Sequence, residues 1–394
     1  MDSLLLFAVL TLWSLAVYHH LMYPLLLRLA ERYLPIDQAP EYPAEEDLPE
    51  ISILVPAYNE ASVIADKIRN IAALDYPPSR LKLIIACDGC SDGTAERARA
   101  TLAEPEVAQL QVEIRTFSEN QGKVAVLNEL IPEITSPIVT LSDASALLSH
   151  DALRVAAGRF QNPDIAVVAA TYKLLTPGSV GEQRYWRYQT RILQSEALLG
   201  SPIGVHGALY FFRRDLFAPL PHDTINDDFM LPMSIVAQGY KACYEPNIVA
   251  VELEQATSNM DQARRVRISA GNLQQLLRLN GLLHPRMGTI ALTFLSGKGL
   301  RALMPLILLC QLLLCVALSA SNPLFLLMTL TQLLAIVVAA DAERLTRKIP
   351  LLRRFSPLFY IINGYRSGVI GSVRYLAGLE NGHWKPVNKQ EHSS

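Results

Sequence analysis

No glycine-rich phosphate cradle occurs in the 394-residue chain: neither GxGxxG nor the P-loop pattern GxxxxGK[ST] is present. A nucleotide bound here would therefore have its phosphates held by side chains and cations, not by a ring of backbone amides. Cysteine is scarce as well, five in all. Cys87 and Cys90 form a lone CxxC, with no second pair and no histidine at zinc-ligand spacing. That argues against a structural zinc or redox module and leaves two small residues of a turn. Net charge is only −2, so the charge balance does not point to nucleic acid. Charge is absent altogether from Ser3 to Leu27 and from Ala302 to Ala340, which contain no Asp, Glu, Lys or Arg.

These two runs are far more apolar than the 51% hydrophobic average of the chain. The first is long enough to span a bilayer once and has no small-residue cleavage site after it, so it reads as a retained anchor. The second would extend about 58 Å as a single helix, nearly twice a hydrocarbon core of about 30 Å. "SASNP" at Ser319 to Pro323 breaks it into two helices. Ser356 to Leu379 is a further candidate, but Arg366 and Arg374 leave it open between a span and an interfacial helix. Basic residues follow the first run (Arg28, Arg32), precede the second (Lys298, Arg301) and follow the third (Arg344, Arg347, Lys348, Arg353, Arg354). The positive-inside rule then puts the large middle segment in the cytoplasm. The expected organisation is an anchor at 1–30, a Pro- and acid-rich linker at 31–49, a cytoplasmic domain at 50–285 and a basic interfacial segment at 286–301. Spans at 302–320 and 323–340 follow, then a basic loop at 341–355, the undecided helix at 356–379 and a tail at 380–394.

Within the middle segment, short apolar runs alternate with amphipathic stretches. Strands are expected at 51–58, 81–88, 111–117, 137–144 and 164–172, with helical patterns at 60–74, 93–103, 121–131 and 149–160. Near-continuous β-branched strands separated by helices predict an α/β domain with a mostly parallel sheet covered on both faces. Ligands bind such sheets at the carboxyl ends of the strands. Polar residues collect at those ends: Tyr58-Asn59-Glu60, Asp88-Gly89 and Asp143-Ala144-Ser145, with Lys123 in "NQGK". Singly, each has an ordinary reading as a helix cap, a turn or a solvated loop. Asp227 and Asp228, set directly before an apolar helical run, could likewise be acids placed against a helix dipole. As a set at one sheet edge, they are hard to explain as caps.

The order of motifs resembles the family 2 inverting glycosyltransferases, in particular the membrane-embedded branch of cellulose, hyaluronan and poly-N-acetylglucosamine synthases. The likeness covers roughly Ile51 to Arg267. It rests on "VPAYNE" (55–60), "CDGCSDGT" (87–94), "GKVAVLN" (122–128), "DAS" (143–145), "INDDF" (225–229) and "QARRV" (262–266), in that order. "SGKGLR" (296–301) and "HWKP" (383–386) extend it. The resemblance implies a GT-A, Rossmann-like nucleotide-sugar domain. In it Tyr58, Glu60, Asp88, Lys123 and Asp143 bind the donor, and Asp143 reaches a Mg²⁺ or Mn²⁺ through the diphosphate. Asp228 is then the general base with Asp227 beside it, and Gln262, Arg264 and Arg265 lie against the diphosphate and acceptor.

Two departures stand out. The second acid of the family's DxD is Ser145, a weaker ligand for a hard cation, and the aromatic of its QxxRW is Val266. The expected protein is a bacterial inner-membrane enzyme that moves a sugar, UDP-linked, onto a lipid-linked or polysaccharide acceptor. It would contact membrane lipid, work beside other polysaccharide assembly or export subunits, and bind no nucleic acid. Processive synthesis and an inactive regulatory homologue are the alternatives. A channel would need charge inside the spans, which Ala302 to Ala340 lacks. Tyr185, Trp186 and Tyr188 read as helix packing before an acceptor wall, and His206 as structural before an acceptor contact.

Overall fold

The computed structural model describes residues 2–34, 41–176, 180–253 and 258–380. Positions 35–40 of the linker and the "HWKP" stretch lie outside them. At the amino terminus α1 (Asp2–Val17) and α2 (Tyr23–Tyr33) are joined by a π-helical turn. Then come β1 (Ile51–Ala57), α3 (Ile64–Ala72), β2 (Leu81–Asp88), α4 (Thr94–Thr101), β3 (Gln111–Phe117), α5 (Lys123–Glu133) and β4 (Ile138–Ser142). The chain continues through β5 (Ala146–Leu148), α6 (Ala152–Arg159), β6 (Ile165–Leu174), α7 (Val180–Leu198), β7 (Leu209–Arg213), α8 (Asp227–Ala237) and β8 (Lys241–Glu252). Last are α9 (Ser258–Arg278), α10 (Thr289–Thr293), α11 (Leu300–Leu318), α12 (Pro323–Ala340), α13 (Ala342–Lys348) and α14 (Ser356–Leu376). Two compact units result, one of residues 39–176 and 204–264, the other of 1–38, 177–203 and 265–380.

The first unit holds one eight-stranded sheet in the order β3-β2-β1-β4-β7-β6-β8-β5. β1 pairs in parallel with β2 and β4, and β2 with β3. Every residue of β1 is buried, as expected of a strand covered on both faces. The edge strand β3 is instead half-exposed and carries charge, with Glu113 paired to Lys82 at 2.6 Å and to Arg115 at 2.8 Å. Such charges discourage pairing with another chain. Beyond β4 the sheet turns mixed, because β7 runs antiparallel to both β4 and β6, and β5 antiparallel to β8. The β6–β8 pairing is parallel again, so four of the seven strand pairings among the described residues are parallel, as the expected mostly parallel sheet requires.

This order positions the site. β3, β2, β1 and β4 are parallel neighbours, so their carboxyl ends share one edge. β7 is antiparallel to β4, so its amino-terminal end reaches that same edge. The loops after β1, β2, β3 and β4 and the loop before β7 therefore converge.

In the second unit three helices among the described residues are long and apolar enough to cross a membrane: Leu4–Tyr33, Thr289–Leu318 and Pro323–Ala340. The turn expected at Ser319 to Pro323 separates α11 from α12, and Asn322 Oδ1 accepts the Leu324 amide at 2.8 Å as the cap. Val9, Cys315, Leu318 and Phe325 pack α1 against α11 and α12. The candidate at 356–379 is a single helix, α14, and keeps Arg366 and Arg374 along its length. It packs on α9: a methyl group at Gly371 would stand 2.3 Å from the Val266 carbonyl oxygen. Tyr185 of α7 lies 5.2 Å from Tyr360 of α14, ring centre to ring centre, which favours the packing role for that aromatic group.

Candidate active site

Lys123 is the first residue of α5, where the helix dipole disfavours a cation. Two carboxylates outweigh that. Its ammonium stands 3.2 Å from Asp143 Oδ1 and 3.2 Å from Asp227 Oδ2. Lys123 and Asp227 are largely buried, their side chains 14% and 13% exposed, while the Asp143 side chain is 40% exposed. Burial alone would lower the Lys123 pKa, but Asp143, Asp227 and Asp228 together hold it well above the ordinary lysine range. Burial works against the charged form of Asp143 too. The Lys123 charge and hydrogen bond, with smaller help from the Arg264 charge, outweigh it and leave that carboxyl below its usual value.

Asp227 and Asp228 occupy the first turn of α8, where the helix dipole favours acids. Asp228 lies close against the backbone before β7. A methyl group at Gly207 would come within 3.0 Å of Asp228 Oδ2 and 3.2 Å of its Cβ. A side chain at position 207 would press on that carboxylate.

Asp88 is 3% exposed and accepts the amides of Gln121 and Gly122, both at 2.8 Å. It thereby fastens the end of β2 to the loop that delivers Lys123, a task motif order did not reveal. Any contact with a base would use the remaining lone pairs. Tyr58 and Glu60 lie in the loop after β1, which is stitched to the "CSDGT" loop. Ser91 N donates to Asn59 Oδ1 at 2.9 Å, Ala61 N to Asp92 Oδ2 at 3.0 Å and Glu60 N to Thr94 Oγ1 at 2.8 Å. Asn59 takes a left-handed φ of 57°, an uncommon conformation that collects at functional loops. The ordinary reading of Asp143 as a helix cap fails, because β5 follows it and its amide donates to Ala208 O at 3.3 Å.

His206 stacks on Tyr172 with ring centres 3.6 Å apart, and its Nδ1 accepts the Ala208 amide. Burial, then the Arg264 charge, push it down to about 3. It stands neutral, with the proton on Nε2. Gln262 and Arg264 are exposed at the start of α9. Arg265 belongs to the other compact unit, where its guanidinium lies 3.9 Å over the Tyr360 ring.

Motif reasoning missed two residues. Tyr210 on β7 is fully buried, and its hydroxyl has no hydrogen-bond partner among the described residues. Burial first, then Asp227, Asp228 and Asp143, push that hydroxyl well above its ordinary pKa. Lys67 on α3 is also fully buried, and burial holds it down to about 7 against the pull of Asp143 and Glu252.

Among the described residues no three His, Cys, Asp or Glu side chains are grouped to hold a metal. The chain's own donors are the partly open Asp143 carboxylate and the Ser145 hydroxyl. This set fits a hard divalent cation that takes its remaining oxygens from a bound diphosphate and water.

An α/β sheet with acid-bearing loops gathered around one lysine at its carboxyl edge, in a chain with membrane-length helices, defines a class of sugar-transferring enzyme. The sequence model described as "Glycosyltransferase like family 2" matches residues 49–271, over half the chain. The chain belongs to that family. It is 26% identical over 241 residues to the poly-beta-1,6-N-acetyl-D-glucosamine synthase of Staphylococcus aureus strain COL, covering 59% of this chain and 57% of that protein. The synthase of the same name from Staphylococcus epidermidis is 26% identical over 236 residues, 58% of this chain and 56% of that one. The chain thus spans under two thirds of the length of these relatives. Among solved structures, the mannosyltransferase PcManGT of Pyrobaculum calidifontis, in complex with GDP-Man and Mn²⁺, superposes with a TM-score of 0.69. That match has 22% identity and covers 94% of this chain and 99% of that one. The shared fold is GT-A.

Proposed function

We propose that the protein transfers a sugar, with inversion, from a nucleotide diphosphate donor to a membrane-associated acceptor. The observation that carries this reading is the bridge of Lys123 between Asp143 and Asp227, one residue from Asp228 and at the sheet edge where donors bind. Asp228 takes the proton from the acceptor hydroxyl as that oxygen bonds to the anomeric carbon, and the bond from that carbon to the diphosphate breaks. Asp227, held by Lys123, keeps its neighbour in place. Lys123 and Arg264 lie toward the departing diphosphate. Asp143, with Ser145, would hold a Mg²⁺ or Mn²⁺, which when bound supplies positive charge to the leaving group. Tyr58, Glu60 and Asp88 line the nucleoside end.

A UDP-linked donor fits the motif order. Three membrane-length helices among the described residues support an acceptor at a bilayer, and the basic flanks support a cytoplasmic catalytic unit. Kinship to poly-N-acetylglucosamine synthases favours a second reading, repeated addition. One experiment tests both. Detergent-solubilised protein is incubated with Mn²⁺, a lipid extract and a panel of radiolabelled nucleotide sugars, and products are separated by size. One donor should label a lipid-extractable product; a ladder of long products would select the processive reading, and no labelled product from any donor would contradict transfer.

A further inference from the structure

Lys67 lies beside the acid loop and uses no carboxylate as a hydrogen-bond partner. Its Nζ donates to Ser142 Oγ at 2.6 Å and to the carbonyl oxygen of Ala146. Those two residues are the end of β4 and the start of β5. Between them stand Asp143, Ala144 and Ser145, the whole counterpart of the metal and diphosphate motif. Ser142 Oγ in turn donates to Ala208 O at 2.8 Å, the same oxygen that accepts the Asp143 amide. Ala146 N donates to Asp143 O at 3.2 Å, and Leu253 N to Ser145 O at 3.0 Å. The loop is thus clamped at both flanks by one buried amine.

A lysine with none of its surface exposed is costly unless each of its protons is used. A leucine at this place on α3 would pack as well and avoid the cost. The helix otherwise buries Ile64, Ile68 and Ile71 by the usual spacing, so the amine is not needed to form it.

We propose that Lys67 is a positioning residue for donor binding: it sets the spacing between Ser142 and Ala146 so that the Asp143 carboxylate and the Ser145 hydroxyl face the donor's diphosphate together. The clamp works as ammonium or as amine, since both donate hydrogen bonds. Because Ser145 replaces a second acid, the motif has little affinity to spare for a misplaced loop. Misplacement of a reacting group by about 1 Å can cost on the order of a hundredfold in rate, and a diphosphate gripped by few groups makes a similar geometric demand. This inference rests on the proposed function, because it takes Asp143 to meet a diphosphate.

The test uses the full-length protein in detergent, with Lys67→Met as the variant of similar length. Calorimetric titrations with UDP and with UMP, each with Mn²⁺, give the readout, and wild type is measured alongside. The expected result is a fall of about 10- to 100-fold in affinity for UDP with UMP changed less than about twofold, because UMP lacks the second phosphate. Equal weakening of both ligands, or of neither, would overturn the proposal. Should Lys67→Met not fold, Ser142→Ala, which removes one flank only, carries the test. A selective loss of about three- to tenfold for UDP is expected there, and an unchanged ratio of the two affinities would overturn it. Wild-type protein that binds neither nucleotide would fault the nucleotide reading instead, and a GDP titration would then distinguish a different base from no site.

Discussion

Replacing Asp228 with Asn should cut sugar transfer about a thousandfold or more, while nucleotide affinity stays within about twofold of wild type. The amide matches the carboxylate in shape, so the contact with Gly207 survives. Asp227 keeps its 3.2 Å approach to Lys123. What the amide cannot do is accept the acceptor's proton. The loss of one favourable charge in the first turn of α8 costs only about 0.3–1 kcal/mol, too little to unfold the domain. Product formation from radiolabelled donor measures the first effect and calorimetry the second. Transfer within tenfold of wild type would defeat the assignment of Asp228 as base.

Lys123→Met should have the next largest effect. Transfer is expected to fall about a hundredfold, and the melting temperature should drop as well. Removing one partner of a fully buried ion pair costs about 3–5 kcal/mol. The cost here should be lower, because the Asp143 side chain is 40% exposed and water takes up part of its charge. The pH dependence has a definite sign. Asp143 titrates below its ordinary value when folded, so its contribution is fully present above about pH 4 and is lost as pH falls through the lower, folded value. Lys123 titrates above its ordinary value, so its contribution is fully present below about pH 10 and is lost only as pH rises through the folded value. Thermal unfolding of both proteins across pH should show a constant gap from pH 5 to 9 that closes below about pH 4. A gap that widened in acid would contradict the bridge.

How much of this was legible from residues alone differs by element. β1 and β2 announce themselves as unbroken apolar runs because both faces are buried. The turn between α11 and α12 is written in Asn322-Pro323, a side-chain cap followed by a proline that suits the first helical turn. β8 was not readable. Pro246 lies within it, its pairing with β6 shifts register between Ala170 and Thr171, and proline ordinarily argues against a strand interior.

At the site, residue types and their order singled out Asp88, Lys123, Asp143, Asp227 and Asp228. Pattern could not say that Asp88 spends its oxygens on the amides of Gln121 and Gly122, since backbone partners leave no mark in sequence. Lys67 was invisible for a different reason. One lysine in an amphipathic helix reads as solvated, and only its depth behind β4 and β5 shows otherwise. Tyr210 reads as one more apolar residue of β7, and the carboxylates that act on its hydroxyl come from the loop after β4 and from α8, outside its own strand.

The measurement that bears most directly on the central claim is a calorimetric titration of UDP with Mn²⁺ into wild-type protein and into Asp143→Ala, with GDP as the comparison nucleotide. A donor cleft built on the Asp143 loop predicts saturable binding of one of the two by wild type and at least a tenfold loss in the variant. Folded protein that bound neither nucleotide, or an Asp143→Ala variant that bound as tightly as wild type, would contradict it.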